Sequence, residues 1–202
     1  MTDRKEKAES LLRFDAPYRA MGRTAGMDEV GRGPLAGPVV TACVIIPPAP
    51  LLLWIDDSKK LSESRREKVY AEILDTGAVF AFGRVDPEEI DRINILEATK
   101  KAMREAASGV PADYYLIDAV SELGLQGTEI PIIHGDAQSY SIAAASILAK
   151  VTRDAEMIRL DALYPEYGFA RNKGYGTREH IEALKKYGPS PVHRRSFIRN
   201  YL

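Results

Sequence analysis

Apolar and polar positions alternate along this chain with two different periods. From residue 4 to residue 21, Leu11, Leu12 and Tyr18 share one side of a charged stretch, which predicts an amphipathic helix that Gly22 can end. Strand-like runs follow at about 25–31 and 38–46, and Pro47-Pro48 terminates the second. That second run is apolar almost without a break, so both its faces are expected to be covered. The short link between the two runs predicts an antiparallel hairpin. Ser62 is placed to cap a helix reaching Asp75, with Val69, Tyr70, Ile73 and Leu74 inward and Gly77 closing it. A third strand is expected over 78–85. Asp86-Pro87-Glu88-Glu89 then combines a cap residue, a first-turn proline and an acid at the third position of a new helix.

In the second half, Ile95, Ala98, Ala102 and Ala106 recur at helical spacing within 94–107. Tyr114-Tyr115-Leu116-Ile117-Asp118 reads as a short strand that ends in an acid, and Ile130-Pro131-Ile132-Ile133-His134-Gly135-Asp136 repeats that design. Ligands of open α/β sheets bind outside the C-terminal ends of strands, where both acids fall. A long helix is predicted over 139–163. Its opening, Ile142-Ala143-Ala144-Ala145-Ser146-Ile147-Leu148-Ala149, is apolar nearly all round and so belongs in the interior. Pro165 and Gly168 end that helix. A loop at 171–177, a last helix at 178–187 and a tail complete an α/β domain, residues 1–165, with a helical extension, residues 166–202.

Bulk composition narrows the reading. The 202 residues are enough for one well-cored domain. Met1 to Ser10 are mostly charged or polar, so no signal peptide is expected, and no apolar run approaches the roughly 20 residues of a membrane span. The single cysteine, Cys43, excludes an internal disulfide, fits a cytoplasmic location and reads as a small core residue among Val and Ala. Net charge is −1, but from Arg171 onward eight Arg and Lys residues face only Glu179 and Glu182. That local excess, which includes Arg194 and Arg195, fits phosphate binding.

The chemistry concentrates in Gly26-Met27-Asp28-Glu29-Val30-Gly31-Arg32-Gly33-Pro34-Leu35-Ala36-Gly37-Pro38. Two carboxylates stand in an apolar, glycine-rich run, and carboxylates are rarely buried unless paired or holding a metal. Bare backbone at Gly31 and Gly33 with Arg32 between them suits a phosphate. Asp28, Glu29, Asp118 and Asp136 converge if their strands are neighbours. Four such acids cannot all stay ionised without cations. Oxygen-only ligands suit Mg2+ or Mn2+, and two such ions about 3.5–4 Å apart clamp the attacking and leaving oxygens of a phosphodiester displacement. One difficulty accompanies this set. Adjacent strand residues point to opposite faces, so Asp28 and Glu29 share one metal cluster only if the glycines distort the pleat or the strand ends there.

These motifs identify a resemblance to the type 2 ribonucleases H, and within them to the bacterial ribonuclease HII family. It runs from about Leu12 to Phe197 and is carried by the stretch above, Asp57-Ser58-Lys59-Lys60-Leu61, Ile93-Asn94-Ile95-Leu96, Leu116-Ile117-Asp118, Gly135-Asp136, Ser141 to Ser146, Thr152-Arg153-Asp154, Lys173-Gly174-Tyr175-Gly176-Thr177 and His193-Arg194-Arg195-Ser196-Phe197. The resemblance implies a ribonuclease H-like fold, a five-stranded mixed sheet flanked by helices with a small helical C-terminal part. It implies hydrolysis of RNA in RNA–DNA hybrids and incision 5′ of a single ribonucleotide in duplex DNA, leaving 3′-hydroxyl and 5′-phosphate ends. It further implies that Asp28, Glu29, Asp118 and Asp136 bind two Mg2+ or Mn2+ ions. Gly31, Arg32 and Gly33 would hold the ribonucleotide through its 2′-hydroxyl, the group that separates RNA from DNA. Tyr175 would sense the RNA-to-DNA junction, and Lys59, Asn94 and Lys173 would contact the backbone. His134 stands where the family often has lysine, and reads either as a neutral strand-end residue or as a titrating group near the metals.

Three other readings compete. A ribonuclease HIII-like enzyme shares the fold but usually lacks the glycine–arginine–glycine segment and carries an N-terminal domain, whereas only about 25 residues precede the first strand here. A hybrid-binding module without catalysis would lack one of the acids. A phosphate-binding protein using the glycine loop alone would not need Asp118 or Asp136. A monomer is expected. The tail Ile198-Arg199-Asn200-Tyr201-Leu202 lacks a clear glutamine-plus-double-aromatic form, so sliding-clamp binding is not predicted from it.

Overall fold

The computed structural model describes residues 2–202; Met1 lies outside the described residues. In chain order the elements are α1 (Thr2–Met21), β1 (Thr24–Val30), β2 (Val39–Ile45), α2 (Glu63–Asp75), β3 (Val79–Val85), α3 (Pro87–Ile93), α4 (Ile95–Ser108), β4 (Tyr114–Asp118), β5 (Thr128–Ile132), α5 (Tyr140–Leu163), α6 (Phe169–Asn172), α7 (Arg178–Tyr187) and α8 (Arg195–Ile198). The five strands form one sheet in the order β3-β2-β1-β4-β5. β1, β2 and β3 pair antiparallel, whereas β4 runs parallel to β1 and β5 parallel to β4. Pro131 is tolerated because β5 is an edge strand.

Helices cover both faces of the centre of the sheet, as the unbroken apolar run of β2 requires. On one face Ala42, Val44 and Ile46 pack with Ala143, Ala144, Ile147 and Leu148 of α5. On the other, Ala25, Met27 and Cys43 pack with Met103 and Ala106 of α4. Burial pushes the Cys43 thiol up to about 12, so it behaves as a small apolar side chain. Close approach of α5 to β1 depends on Gly26, because a Cβ there would overlap the backbone of Ser141 and Ile142. The start of α5 is pinned from α1. The fully buried Asp15 accepts hydrogen bonds from Ser139 Oγ at 2.6 Å, Ser141 Oγ at 2.7 Å and Ser141 N at 2.8 Å.

Several local expectations change. Leu74 is exposed, so α2 buries Val69 and Ile73 but not its last leucine. Asp86 makes no capping bond, because its carboxylate is held by Arg84 at 2.7 Å. β5 stops at Ile132, and His134 takes a left-handed conformation (φ 56°) that turns the chain out of the sheet. His134 is therefore no strand-end residue, and Asp136 sits in a single 3-10 turn at Gly135–Ala137. The loop at 171–177 is shortened by α6, and the tail is partly helical at α8.

Replacing Gly26 by Ala is expected to cost about 1–3 kcal/mol by overpacking α5 against β1. A urea or thermal melt checks this; an unchanged midpoint would mean that α5 can be displaced freely.

Candidate active site

The parallel register of β1 and β4 builds the acidic centre. Met27 is opposite Ile117, so one residue further on Asp28 and Asp118 lie side by side at the strands' C-terminal ends. Asp136 is brought to them by a hydrogen bond, in which the Gly135 N–H donates to Asp118 Oδ1 at 2.8 Å. As a result Asp28, Asp118 and Asp136 each offer a carboxylate oxygen within 4.8 Å of the others.

Glu29 stands apart from that trio. β1 keeps regular pairing with β2 through Val30, so the pleat is not distorted. Alternation places Asp28 on the α5 face with Gly26, and Glu29 on the α4 face with Met27. Glu29 Oε1 lies 3.6 Å from Arg32 Nη1, while its Oε2 is buried without a hydrogen-bond partner. A buried carboxylate oxygen with nothing to accept from is costly unless something cationic reaches it. That orphan oxygen and the all-oxygen trio fit a hard divalent cation.

The electrostatics agree. Burial, then the charges of Glu29 and Asp118, hold the Asp28 carboxyl well above the usual carboxylate range, against hydrogen bonds from Ser146 and the Glu29 N–H. Burial also raises Glu29, with Arg32 opposing and Asp118 reinforcing the shift. Asp136 is raised by burial, then by Asp57 and Asp118, with Lys59 opposing. Carboxyls raised in the folded state bind protons that the unfolded chain has released, so they cost stability as pH rises above about 4.

The glycine–arginine–glycine segment adjoins the acids through the Glu29–Arg32 pair. Gly31 (φ 98°) is buried, and a Cβ there would overlap Arg153 and Pro38. Gly33 is exposed, and a Cβ on it would lie 3.7 Å from Tyr175 Cε1. Tyr175 is itself 44% exposed, so its ring is free beside the bare backbone. Thus two segments about 140 residues apart in the chain form one surface.

The remaining predicted contacts differ in kind. Lys59 is exposed, with Nζ 4.0 Å from Asp136 Oδ2. Asn94 uses its side-chain oxygen to cap α4, accepting from Leu96 N and Glu97 N, which leaves only its amide NH2 for another partner. Lys173 turns its ammonium inward, to the Ala170 carbonyl at 2.6 Å and Glu63 at 3.5 Å.

Three comparisons bear on this arrangement. The family model described as Ribonuclease HII matches residues 25–200. The chain belongs to the ribonuclease HII family. It is 50% identical to a ribonuclease HII of Ruminiclostridium cellulolyticum over 98% of this chain and 79% of that protein. To the Caldanaerobacter subterraneus ribonuclease HII it is 55% identical over 88% and 75%. Among solved structures, the ribonuclease HII from Archaeoglobus fulgidus, solved in complex with PCNA, superposes with a TM-score of 0.78 at 28% identity, covering 88% of this chain and 96% of that one. Ribonuclease H2 from Pyrococcus horikoshii gives 0.70 at 30%, with the same coverage. The protein is accordingly a ribonuclease H-type endonuclease acting on RNA–DNA hybrids. Among the described residues no helix is long and apolar enough to cross a membrane.

Two site-building residues escaped the sequence reading. Arg194, counted there with the cationic tail, is wholly buried, and Arg153, quoted only as part of a motif, is buried too. Both donate to backbone carbonyls of the glycine-rich segment. An arginine in sequence signals a surface charge by default, and only the fold reveals that backbone carbonyls more than 100 residues away in the chain are there to satisfy.

Asp28→Asn is expected to raise the melting temperature of chelator-treated protein by roughly 2–4 °C, for about 1 kcal/mol of relieved repulsion. That gain grows as pH rises above about 4 and shrinks when Mg2+ or Mn2+ is added to both proteins. Calorimetry at several pH values checks this; a gain that shrinks with rising pH would contradict the electrostatic account.

Proposed function

We propose that Asp28, Glu29, Asp118 and Asp136 hold two divalent ions, Mg2+ or Mn2+, and that the enzyme incises 5′ of ribonucleotides, both in hybrids and singly embedded in duplex DNA, leaving 3′-hydroxyl and 5′-phosphate ends. The observation that carries this reading is the joint presence of a three-acid cluster and an orphaned Glu29 oxygen beside the Gly31-Arg32-Gly33 surface. Bound ions of this kind supply Lewis-acid stabilisation of a phosphoryl group and an activated water.

The chain's own residues supply position and discrimination. Asp28 and Asp118 are fixed by strand register, and Asp136 by the Gly135 hydrogen bond, so the charged centre is formed before substrate arrives. Backbone at Gly31 and Gly33 can approach a sugar closely, and Arg32, whose side chain is 43% exposed, can face an adjoining phosphate. The Tyr175 ring beside Gly33 fits the next sugar and would stack on a deoxyribose while clashing with a 2′-hydroxyl. Lys59 and the Asn94 amide would contact the backbone. Lys173 would do so only after releasing its internal partners. Action as a monomer and a cytoplasmic location are part of the same proposal, and the single buried cysteine fits the latter.

Asp28→Asn and Asp136→Asn are each expected to abolish cleavage while leaving hybrid binding largely intact. Tyr175→Ala should weaken incision at one embedded ribonucleotide more than cleavage of long hybrids. The deciding assay is Mg2+- or Mn2+-dependent cleavage of a duplex carrying a single ribonucleotide, with both product ends mapped. Full activity in either acid variant would remove the metal assignment, and equal losses on both substrates would remove Tyr175 as the junction reader.

A further inference from the structure

We infer that the dipeptide His193-Arg194 sets the distance between the two halves of the reading surface, one residue holding each half, and that both are positioning residues for discrimination between single ribonucleotides and long hybrids. This rests on the reading of Gly31-Arg32-Gly33 and Tyr175 as the reading surface.

Arg194 takes the first half. Its buried guanidinium donates from Nη2 to Gly31 O at 2.5 Å and to Gly37 O at 2.8 Å, from Nη1 to Arg32 O at 3.0 Å and from Nε to Gly37 O at 3.0 Å. Its backbone N–H donates to Leu35 O at 2.9 Å. One planar fork thus fixes the carbonyls on both sides of the bend that presents Arg32 and Gly33. Arg153 braces the same segment from α5, donating to Pro38 O, Ala36 O and Lys173 O at 2.9, 3.2 and 2.9 Å.

His193 takes the second half through His180, and the hydrogen-bond partners dictate where each proton sits. The Ser190 backbone N–H, which can only donate, points at His193 Nδ1 at 3.0 Å. His193 Nδ1 is therefore the acceptor, and the neutral ring carries its proton on Nε2. That N–H faces His180 Nε2 at 2.9 Å, so His180 accepts there and carries its own proton on Nδ1. His180 Nδ1 in turn donates to the Tyr175 carbonyl at 2.8 Å. The chain of donors runs one way, from Ser190 through both rings to Tyr175. A second proton on either ring would set two donors against each other. Both rings are buried, packed edge-on or tilted against Tyr167 and Phe169, and burial lowers the pKa of both, that of His193 to about 4. The relay is accordingly locked neutral, and it holds the residue that carries the sensing ring without touching the ring.

The test compares His193→Leu, which cuts the relay, with His193→Gln, whose terminal amide N–H can still reach His180. The readout is the ratio of incision at a single embedded ribonucleotide to cleavage of a long hybrid. His193→Leu is expected to lower that ratio roughly tenfold through misplacement of Tyr175, and His193→Gln to restore most of it. Met103→Ala, on the far face of the sheet, is expected to lower the melting temperature without moving the ratio, which separates positioning from general loosening. Tyr175→Ala in the same assay tests the underlying reading. If it lowers the ratio and His193→Leu does not, the relay proposal is overturned and the reading stands. If Tyr175→Ala leaves the ratio unchanged, it is the reading that falls. Should His193→Leu not fold, imidazole nitrogen-15 spectra of the unaltered protein still decide: protons on His193 Nε2 and His180 Nδ1 throughout pH 5.5–8 support the relay, and a proton on His193 Nδ1 overturns it.

Discussion

Three carboxylates confined within 4.8 Å at the end of a parallel strand pair repel one another, and the fold must hold them there against that repulsion. Nothing in the acids themselves favours the arrangement. It is imposed by backbone hydrogen bonding between β1 and β4, by the Gly135 N–H that ties Asp118 to the turn carrying Asp136, and by α5 pressed against β1 where Gly26 leaves no side chain in the way. The core therefore has a specific task beyond compactness. Burial of the α5 and α4 faces supplies the stability against which the acidic centre is held.

The cost is visible in the groups around the centre. Asp28, Glu29 and Asp136 all have raised pKa values, and Arg32 and Lys59 are the cations that oppose the shift on their nearest acids. A site built this way is incomplete without positive charge from outside the chain. The mutual repulsion that makes three clustered acids improbable in an ordinary core makes them a good cradle for divalent cations. Glu29 sharpens it. Regular strand geometry turns this acid to the opposite face from Asp28, where Arg32 takes one oxygen and the other is left buried and unpaired.

A second constraint is the satisfaction of a strongly bent, glycine-rich segment whose carbonyls cannot pair within a sheet. Two buried arginines answer it with seven hydrogen bonds to backbone oxygens of residues 31–38 and 173. Because those arginines come from α5 and from the C-terminal extension, the catalytic sheet and the extension are locked to the same loop. The surface shared by Gly33 and Tyr175 thus depends on three distant parts of the chain.

The fold was legible because its signals are local. Apolar periodicity, prolines after β2, Ser62 and Ser139 at helix starts and the alanine-rich opening of α5 all act within a few residues. That Asp28, Asp118 and Asp136 would lie together was legible too, since carboxylates at strand ends in apolar runs mark themselves, whereas the place of Glu29 on the opposite face was not. Where these local signals failed, a competing local interaction had won: Arg84, two residues back, took Asp86 from its capping role, and a left-handed His134 turned the chain out of the sheet just after β5. By itself the sequence determined the elements and the kind of chemistry. Only the tertiary structure decided which acids share a face, that Arg153 and Arg194 are internal braces, and that His193 and His180 form a one-way donor chain to Tyr175. The reason is physical: strand register, burial and the direction of a hydrogen bond depend on partners that lie tens of residues away, and no local pattern encodes them.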